Sequence, residues 1–322
     1  MRYRKLGKTG FEVSELGYGA WGIGGTQWKG GTDGESIRAL LRAIELGVNF
    51  IDTALAYGEG HSERLVGGVL RDTKERIYIA TKVPPKNQLW PARAGIGIEQ
   101  VFPYDYIIQS TETSLRNLGV ETIDVQQLHV WNPEWIASED WRRAFEDLKK
   151  SGKVRAVGVS INDHQPASAV ELMRTGLVDN VQAIYNVFDQ SPEQNLLPLA
   201  QELNIGVIAR VPFDEGSLTG SITEDTQFEA DEFRAFYFRG DRKREVVEHI
   251  QALEDALKRT QGSLAEVALR FCLSSPAVST AIPGMRRVKN AEANAAAVNK
   301  GPLDGPVRTA LKSHAWNKNY YD

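Results

Sequence analysis

Short apolar runs alternate along this chain with longer stretches whose apolar residues recur at helical spacing. The short runs are Leu16–Gly19, Asn49–Asp52, Ile77–Lys82, Asp124–His129, Val154–Ser160, Asn180–Tyr185, Gly206–Arg210 and Val278–Ile282. Most are apolar on both alternations, as in IYIATK, VRAVGVS and GVIAR, which predicts strands buried on both faces of a parallel sheet. Between them, Ile37, Leu40, Leu41 and Ile44 follow the i, i+3, i+4, i+7 stripe of an amphipathic helix. Thr32 and Glu35 have capping-box spacing at its start, and Gly47 fits its end. Trp141, Ala144, Phe145 and Leu148 repeat the stripe before Gly152. Eight rounds of strand and helix predict a (β/α)8 TIM barrel, one α/β domain over residues 1–322. A doubly wound open sheet is the alternative.

Three stretches exceed an ordinary connection. Pro84–Tyr104 follows the third predicted strand and Pro212–Asp241 the seventh, and the tail after Pro306 ends in Trp316, Tyr320 and Tyr321. The first two fall at the C-terminal mouth of a barrel, where active sites are built, and are read as lids or pocket walls.

Composition narrows the class. With 42% hydrophobic and 25% charged residues the chain is ordinary globular protein. A net charge of -4 leaves no footprint for nucleic acid or an anionic membrane. The MRYRKLGKTG start lacks the apolar stretch of a secretory signal, and no run approaches the ~20 apolar residues of a membrane helix. A single cysteine, Cys272, suits a reducing compartment; its apolar helical run marks it as an inert core thiol. A cytoplasmic protein is the expectation. Five scattered histidines and one cysteine give a metal nothing to bind, so no metal site is expected.

Four polar residues fall at or just after predicted strand ends. Asp52 closes the second strand, Tyr57 follows in DTALAYG, Lys82 closes the third and His129 the fourth. Singly, each has an ordinary structural reading: a loop cap, a solvated lysine, a satisfied core histidine. A barrel would bring all four to one spot, where they suit carbonyl reduction. Hydride delivery to a C=O carbon leaves charge on oxygen that must be protonated as it develops. A tyrosine is a poor acid at neutral pH unless a cation lowers its pKa. Lys82 can be that cation, Asp52 can hold it, and His129 can orient the carbonyl oxygen.

The stretch FIDTALAYGEGHSERLVG, with IYIATK and IDVQQLHVWN, resembles the aldo-keto reductase family over nearly the whole chain. The resemblance implies Asp52, Tyr57, Lys82 and His129 as catalytic residues and NADP(H) as cofactor, without a Rossmann domain. The implied reaction is hydride transfer from NADPH to an aldehyde or ketone, reversible as alcohol oxidation. In GVSIND it implies cofactor contacts from Ser160 and Asn162, although Ile161 splits the family's usual pair. VQAIYN implies Gln182, and Gly19, Ala20 and Trp21 are implied to lie beside nicotinamide and substrate. ARVPFDEGSLTG resembles the loop over the pyrophosphate, implying Pro212, Gly216, Ser217, Leu218 and Gly220. At its start Arg210 replaces the family's stacking aromatic. Arg210 either stacks on the nicotinamide in its place or turns aside to Asp214 or Glu215. IPGMRRVKNAEAN resembles the segment that grips the 2′-phosphate, implying Ile282, Gly284, Arg286, Asn290 and Asn294. There a helix N-terminus and the Arg286 and Arg287 guanidiniums suit a phosphate dianion.

Two motifs mislead. Gly17, Gly19 and Gly22 spell G-x-G-x-x-G, but glycine-rich loop follows instead of a helix. Ser160 imitates a nucleophile elbow, but Asn162 stands where its last glycine must be. Trp21, Trp28, Trp90 and Trp131 are expected to wall the pocket for a small-molecule carbonyl. The rival functions are a Schiff-base lyase using Lys82 and a non-catalytic NADP-binding subunit.

Overall fold

Eight parallel strands, each followed by at least one helix, form the body of the protein. They are β1 (Tyr18–Gly19), β2 (Phe50–Asp52), β3 (Tyr78–Val83), β4 (Ile123–Leu128), β5 (Val154–Ser160), β6 (Asn180–Ile184), β7 (Gly206–Arg210) and β8 (Val278–Ala281). The computed structural model describes residues 1–257 and 262–322. Each strand pairs with its sequence neighbour, and bridges of Leu16 to Ala281 and of Gly19 to Gly284 join the two edges. Two strands match their expected bounds and the rest differ by one or two residues. The largest difference is the first, where Leu16–Gly19 reduces to two ladder residues and the closing bridges.

An unexpected antiparallel hairpin, Tyr3–Lys5 with Glu12–Ser14, brings Leu6 and Val13 under the barrel. Above them Phe50, Ala80, Val125, Ala156 and Ile208 fill the interior. Side chains alternate along a strand, so two residues further on the same inward row reads Asp52, Lys82, Gln127, Gly158 and Arg210. The interior thus changes from apolar to polar toward the C-terminal mouth. A larger apolar cluster fills the space between strands and helices.

The first helix runs from Asp33 to Glu45 with the expected Thr32–Glu35 capping box. Its buried face is Ser36, Ala39, Leu40, Ala43 and Ile44, whereas Leu41 is exposed. Leu40 and Ile44 of the expected stripe are buried, but the buried face turns toward Ser36, Ala39 and Ala43 and away from Leu41. Helix Glu139–Lys150 buries Trp141, Ala144, Phe145 and Leu148 as expected. Cys272 lies buried in helix Leu264–Leu273, and burial pushes its thiol pKa up, away from reactivity.

Barrel closure explains the misleading glycines. A Cβ on Gly19 would stand 2.5 Å from the Ile282 carbonyl oxygen, and one on Gly22 would stand 2.9 Å from Arg286 Cδ. Gly19→Ala is expected to cost about 1–3 kcal/mol by overpacking this seam. Thermal unfolding should show a Tm lower by a few degrees, and an unchanged Tm would contradict the closure role.

Candidate active site

The polar end of the barrel interior opens into one cavity of about 1040 Å³, at the upper end of the range for small-molecule sites. Its deepest feature is a charge. Lys82 has no exposure to water, and its ammonium donates to Asp52 Oδ1 at 2.6 Å, the Thr53 carbonyl at 2.8 Å and Tyr57 Oη at 3.4 Å. An ammonium has three hydrogens, so this set satisfies it. The other Asp52 oxygen accepts from Gln182 Nε2 at 2.7 Å, and Ser160 Oγ reaches Gln182 Oε1 at 3.5 Å.

Burial opposes the charge on Lys82, but Asp52 and Tyr57 outweigh it and hold its pKa above the ordinary value. Burial raises the Asp52 carboxyl, against the pull of Lys82 and Gln182. Burial likewise raises the Tyr57 phenol, with Lys82 pulling it down. The expected lowering by Lys82 is therefore present but does not dominate, and Tyr57 stays protonated. The His129 imidazole is held well below its ordinary pKa by burial, Lys82 and Arg210, and so is neutral. Its ring lies edge-on to Tyr57 at 5.6 Å and to Trp90 at 4.5 Å, and its buried Nδ1 has no partner.

Asp52, Tyr57, His129, Ser160 and Gln182 share one end of the cavity wall. Lys82 sits behind them. Ile282, Gly284, Arg286, Asn290 and Asn294 line the rim that follows β8, and Asn294 Nδ2 is buried there without a partner. Arg287 and Lys289 join that rim, Lys289 from the same IPGMRRVKNAEAN stretch without an expected role there. A roof spans the middle. Gln27 accepts the Phe233 amide at 2.9 Å, Lys29 pairs with Asp231 at 2.9 Å, and the Arg286 and Arg234 guanidiniums flank Trp28 at 5.6 and 4.7 Å. Gly19, Trp21, Trp28, Trp90, Pro212 and Gly216 all line the cavity.

Other expectations need correction. Trp131 is fully buried away from the cavity, edge-on to Trp135 and Trp141 with Nε1 on the Ser168 carbonyl. Ala20, Ser217, Leu218 and Gly220 do not line the cavity either. Ala20 instead donates to the Asp52 carbonyl. Ser217 and Leu218 point into the packed loop, while Glu215, Gly216, Thr219 and Ser221 face the cavity. Asn162 reaches the wall, but its amide exchanges two hydrogen bonds with the Ala92 backbone and donates to Gln165. It thus fastens the loop after β3. Arg210 pairs with neither Asp214 nor Glu215: it pairs with Asp163 at 2.6 Å.

The loop after β7 is strained. Val211, Asp214 and Glu215 all have positive φ, at 55°, 48° and 55°, a region costly for a β-branched residue. Asp214 anchors the loop through Lys318 at 2.9 Å and Tyr237 at 3.1 Å, and Tyr321 donates to Glu215 at 2.7 Å. The aromatic tail thus reaches the cavity wall through Tyr321.

The model of the aldo/keto reductase family matches residues 15–315, and this chain belongs to that family. The aldo-keto reductase YhdN of Bacillus subtilis is 32% identical, covering 91% of this chain and 87% of its own. The NADH-specific methylglyoxal reductase of Escherichia coli is 28% identical, covering 93% and 94%. A holo aldo-keto reductase from Bacillus halodurans superposes with a TM-score of 0.78 at 27% identity over 100% of both chains. The chain is therefore a nicotinamide-dependent carbonyl oxidoreductase on a (β/α)8 barrel. Among the described residues no helix is long and apolar enough to cross a membrane.

Glu215 gives the site a pH signature. Burial pushes its pKa up from 4.5 to about 7, against the Tyr321 hydrogen bond and Arg210, and helped by Asp214 and Asp163. Folding therefore favours its protonated form, a contribution whole below the unfolded pKa and lost as pH rises through the folded one. Glu215→Gln is expected to raise Tm at pH 8 by more than at pH 5. An equal difference at both pH values would contradict the assignment.

Proposed function

We propose that this protein reduces an aldehyde or ketone with NADPH, and oxidises the corresponding alcohol in reverse. The observation that carries the reading is the buried ammonium of Lys82 between Asp52 and Tyr57 at the wall of a long roofed cavity. The cavity suits an extended dinucleotide. Its lining includes the cationic side chains of Arg286, Arg287 and Lys289 beside the buried, unmet Asn294 amide, and also Asp52, Tyr57 and His129. The nicotinamide would supply the hydride at the Ser160–Gln182 end.

Tyr57, kept protonated, supplies the proton to the carbonyl oxygen, and the phenolate left behind faces the Lys82 ammonium. Asp52 holds that ammonium in place and so acts through it. Neutral His129 orients the carbonyl by a hydrogen bond without competing as an acid. Trp21 and Trp90 flank Tyr57 and His129 respectively and fit a carbonyl carried on a flat or apolar body. The lyase alternative fares badly, because a nucleophilic lysine must be neutral and reachable and Lys82 is neither. Arg286, Arg287 and Lys289 favour the 2′-phosphate of NADP, and the lone buried Cys272 suits the cytoplasm.

Tyr57→Phe is expected to keep NADPH affinity and to lose at least roughly 10²-fold in kcat on an aldehyde. Near-normal kcat would sink the assignment. Arg286→Ala is expected to weaken NADPH roughly 10- to 150-fold while leaving NADH little changed. Fluorescence titration reads both, and equal losses would refute a 2′-phosphate role.

A further inference from the structure

An ion pair stands on the cavity wall between the ends of β5 and β7. Arg210 Nη2 donates to Asp163 Oδ1 at 2.6 Å and to the Ile161 carbonyl at 3.1 Å, and its Nε is buried without a partner. Both side chains keep some exposure, 17% and 24%, and both line the cavity. The pair is also braced. His164, the next residue, takes a left-handed φ of 55° and sets Nδ1 2.7 Å from the Asp189 carboxylate. Its ring lies 5.7 Å from that of Tyr321, and Asp189 accepts in turn from Ser191. This bracing fixes the loop that carries Asp163, so the pair is held in one place.

The same stretch of wall carries Ser160 and Gln182. A nicotinamide ring bears one positive charge when oxidised and none when reduced. A fixed guanidinium beside it disfavours the oxidised form, a fixed carboxylate favours it, and neither acts strongly on the reduced form. We propose that the Arg210–Asp163 pair sets the relative affinity of the site for oxidised and reduced cofactor. The inference rests on the oxidoreductase reading above. Removing either partner should tilt the ratio, in opposite directions, whereas a purely structural pair would change both affinities together. Glu215, bonded to Tyr321 on the same wall, is a third charge that titrates near neutrality.

The test is a fluorescence titration of NADPH and NADP⁺ at pH 8 in a Glu215→Gln background, so that no third charge varies. Arg210→Gln is expected to tighten NADP⁺ relative to NADPH by roughly fivefold. Asp163→Asn is expected to shift the ratio the other way by a similar factor. Arg210→Lys keeps the charge and is expected to hold the ratio within about twofold even where absolute affinity falls. Ratios that stay fixed, or that move in the same direction in the Gln and Asn variants, overturn the proposal. If the unsubstituted protein binds neither form, the NADPH reading proposed above falls, and the ratio for this pair with it.

Discussion

The structure depends on one ammonium group removed from water. A lone buried charge costs several kcal/mol, and a protein tolerates it only when every proton is met and a counter-charge stands in contact. Lys82 meets both conditions through Asp52, Thr53 and Tyr57. The conditions propagate outward. Asp52 must present one oxygen to Lys82, which leaves the other for Gln182, and Gln182 meets Ser160. The ends of β2, β3, β5 and β6 are thereby tied in one polar chain at the floor of the cavity. The same burial that makes the charge expensive keeps Tyr57 protonated and His129 neutral.

The barrel makes such a floor affordable by separating duties along each strand. The lower inward rows are Phe50, Ala80, Val125, Ala156 and Ile208, closed beneath by Leu6 and Val13 of the hairpin. The upper rows are polar and face a cavity roofed by the loops after β1 and β7. Backbone strain gathers on the cavity wall, in the run from Val211 to Glu215, and ties from Lys318, Tyr237 and Tyr321 hold it. Strands thus carry Asp52 and Lys82, while the loops after them carry Tyr57 and His129 and shape the space above.

Much of this was legible in the sequence because barrel strands write a strong local signal. Runs ending abruptly in Asp52, Lys82 and His129 marked both the strands and polar groups that the barrel brings together. Partners across the barrel wrote none. Nothing local pairs Arg210 with Asp163, because the pairing reaches across β6, which separates β5 from β7 in the sheet. Asn162 bears a polar amide that fits a cofactor contact as well as a loop anchor, and its bonds to Ala92, 70 residues away, leave no local trace. Trp131 shows the same limit for apolar residues: an indole suits a pocket or a core, and the packing of Trp135 and Trp141 decided for the core. Leu41 was misplaced because the buried face of its helix includes Ser36, Ala39 and Ala43, small residues that write no apolar stripe.

The central claim is that the Lys82 charge serves the proton transfer rather than merely the fold. Replacing Lys82 alone would strand Asp52, so the decisive protein is the Asp52→Asn, Lys82→Met double variant, in which neither charge remains. Its rate of hydride transfer to an aldehyde, read as loss of NADPH absorbance in a single turnover, separates the two roles. The account predicts a folded protein that still binds NADPH and transfers hydride at least roughly 10²-fold more slowly. A folded double variant with hydride transfer close to the unsubstituted rate would contradict it.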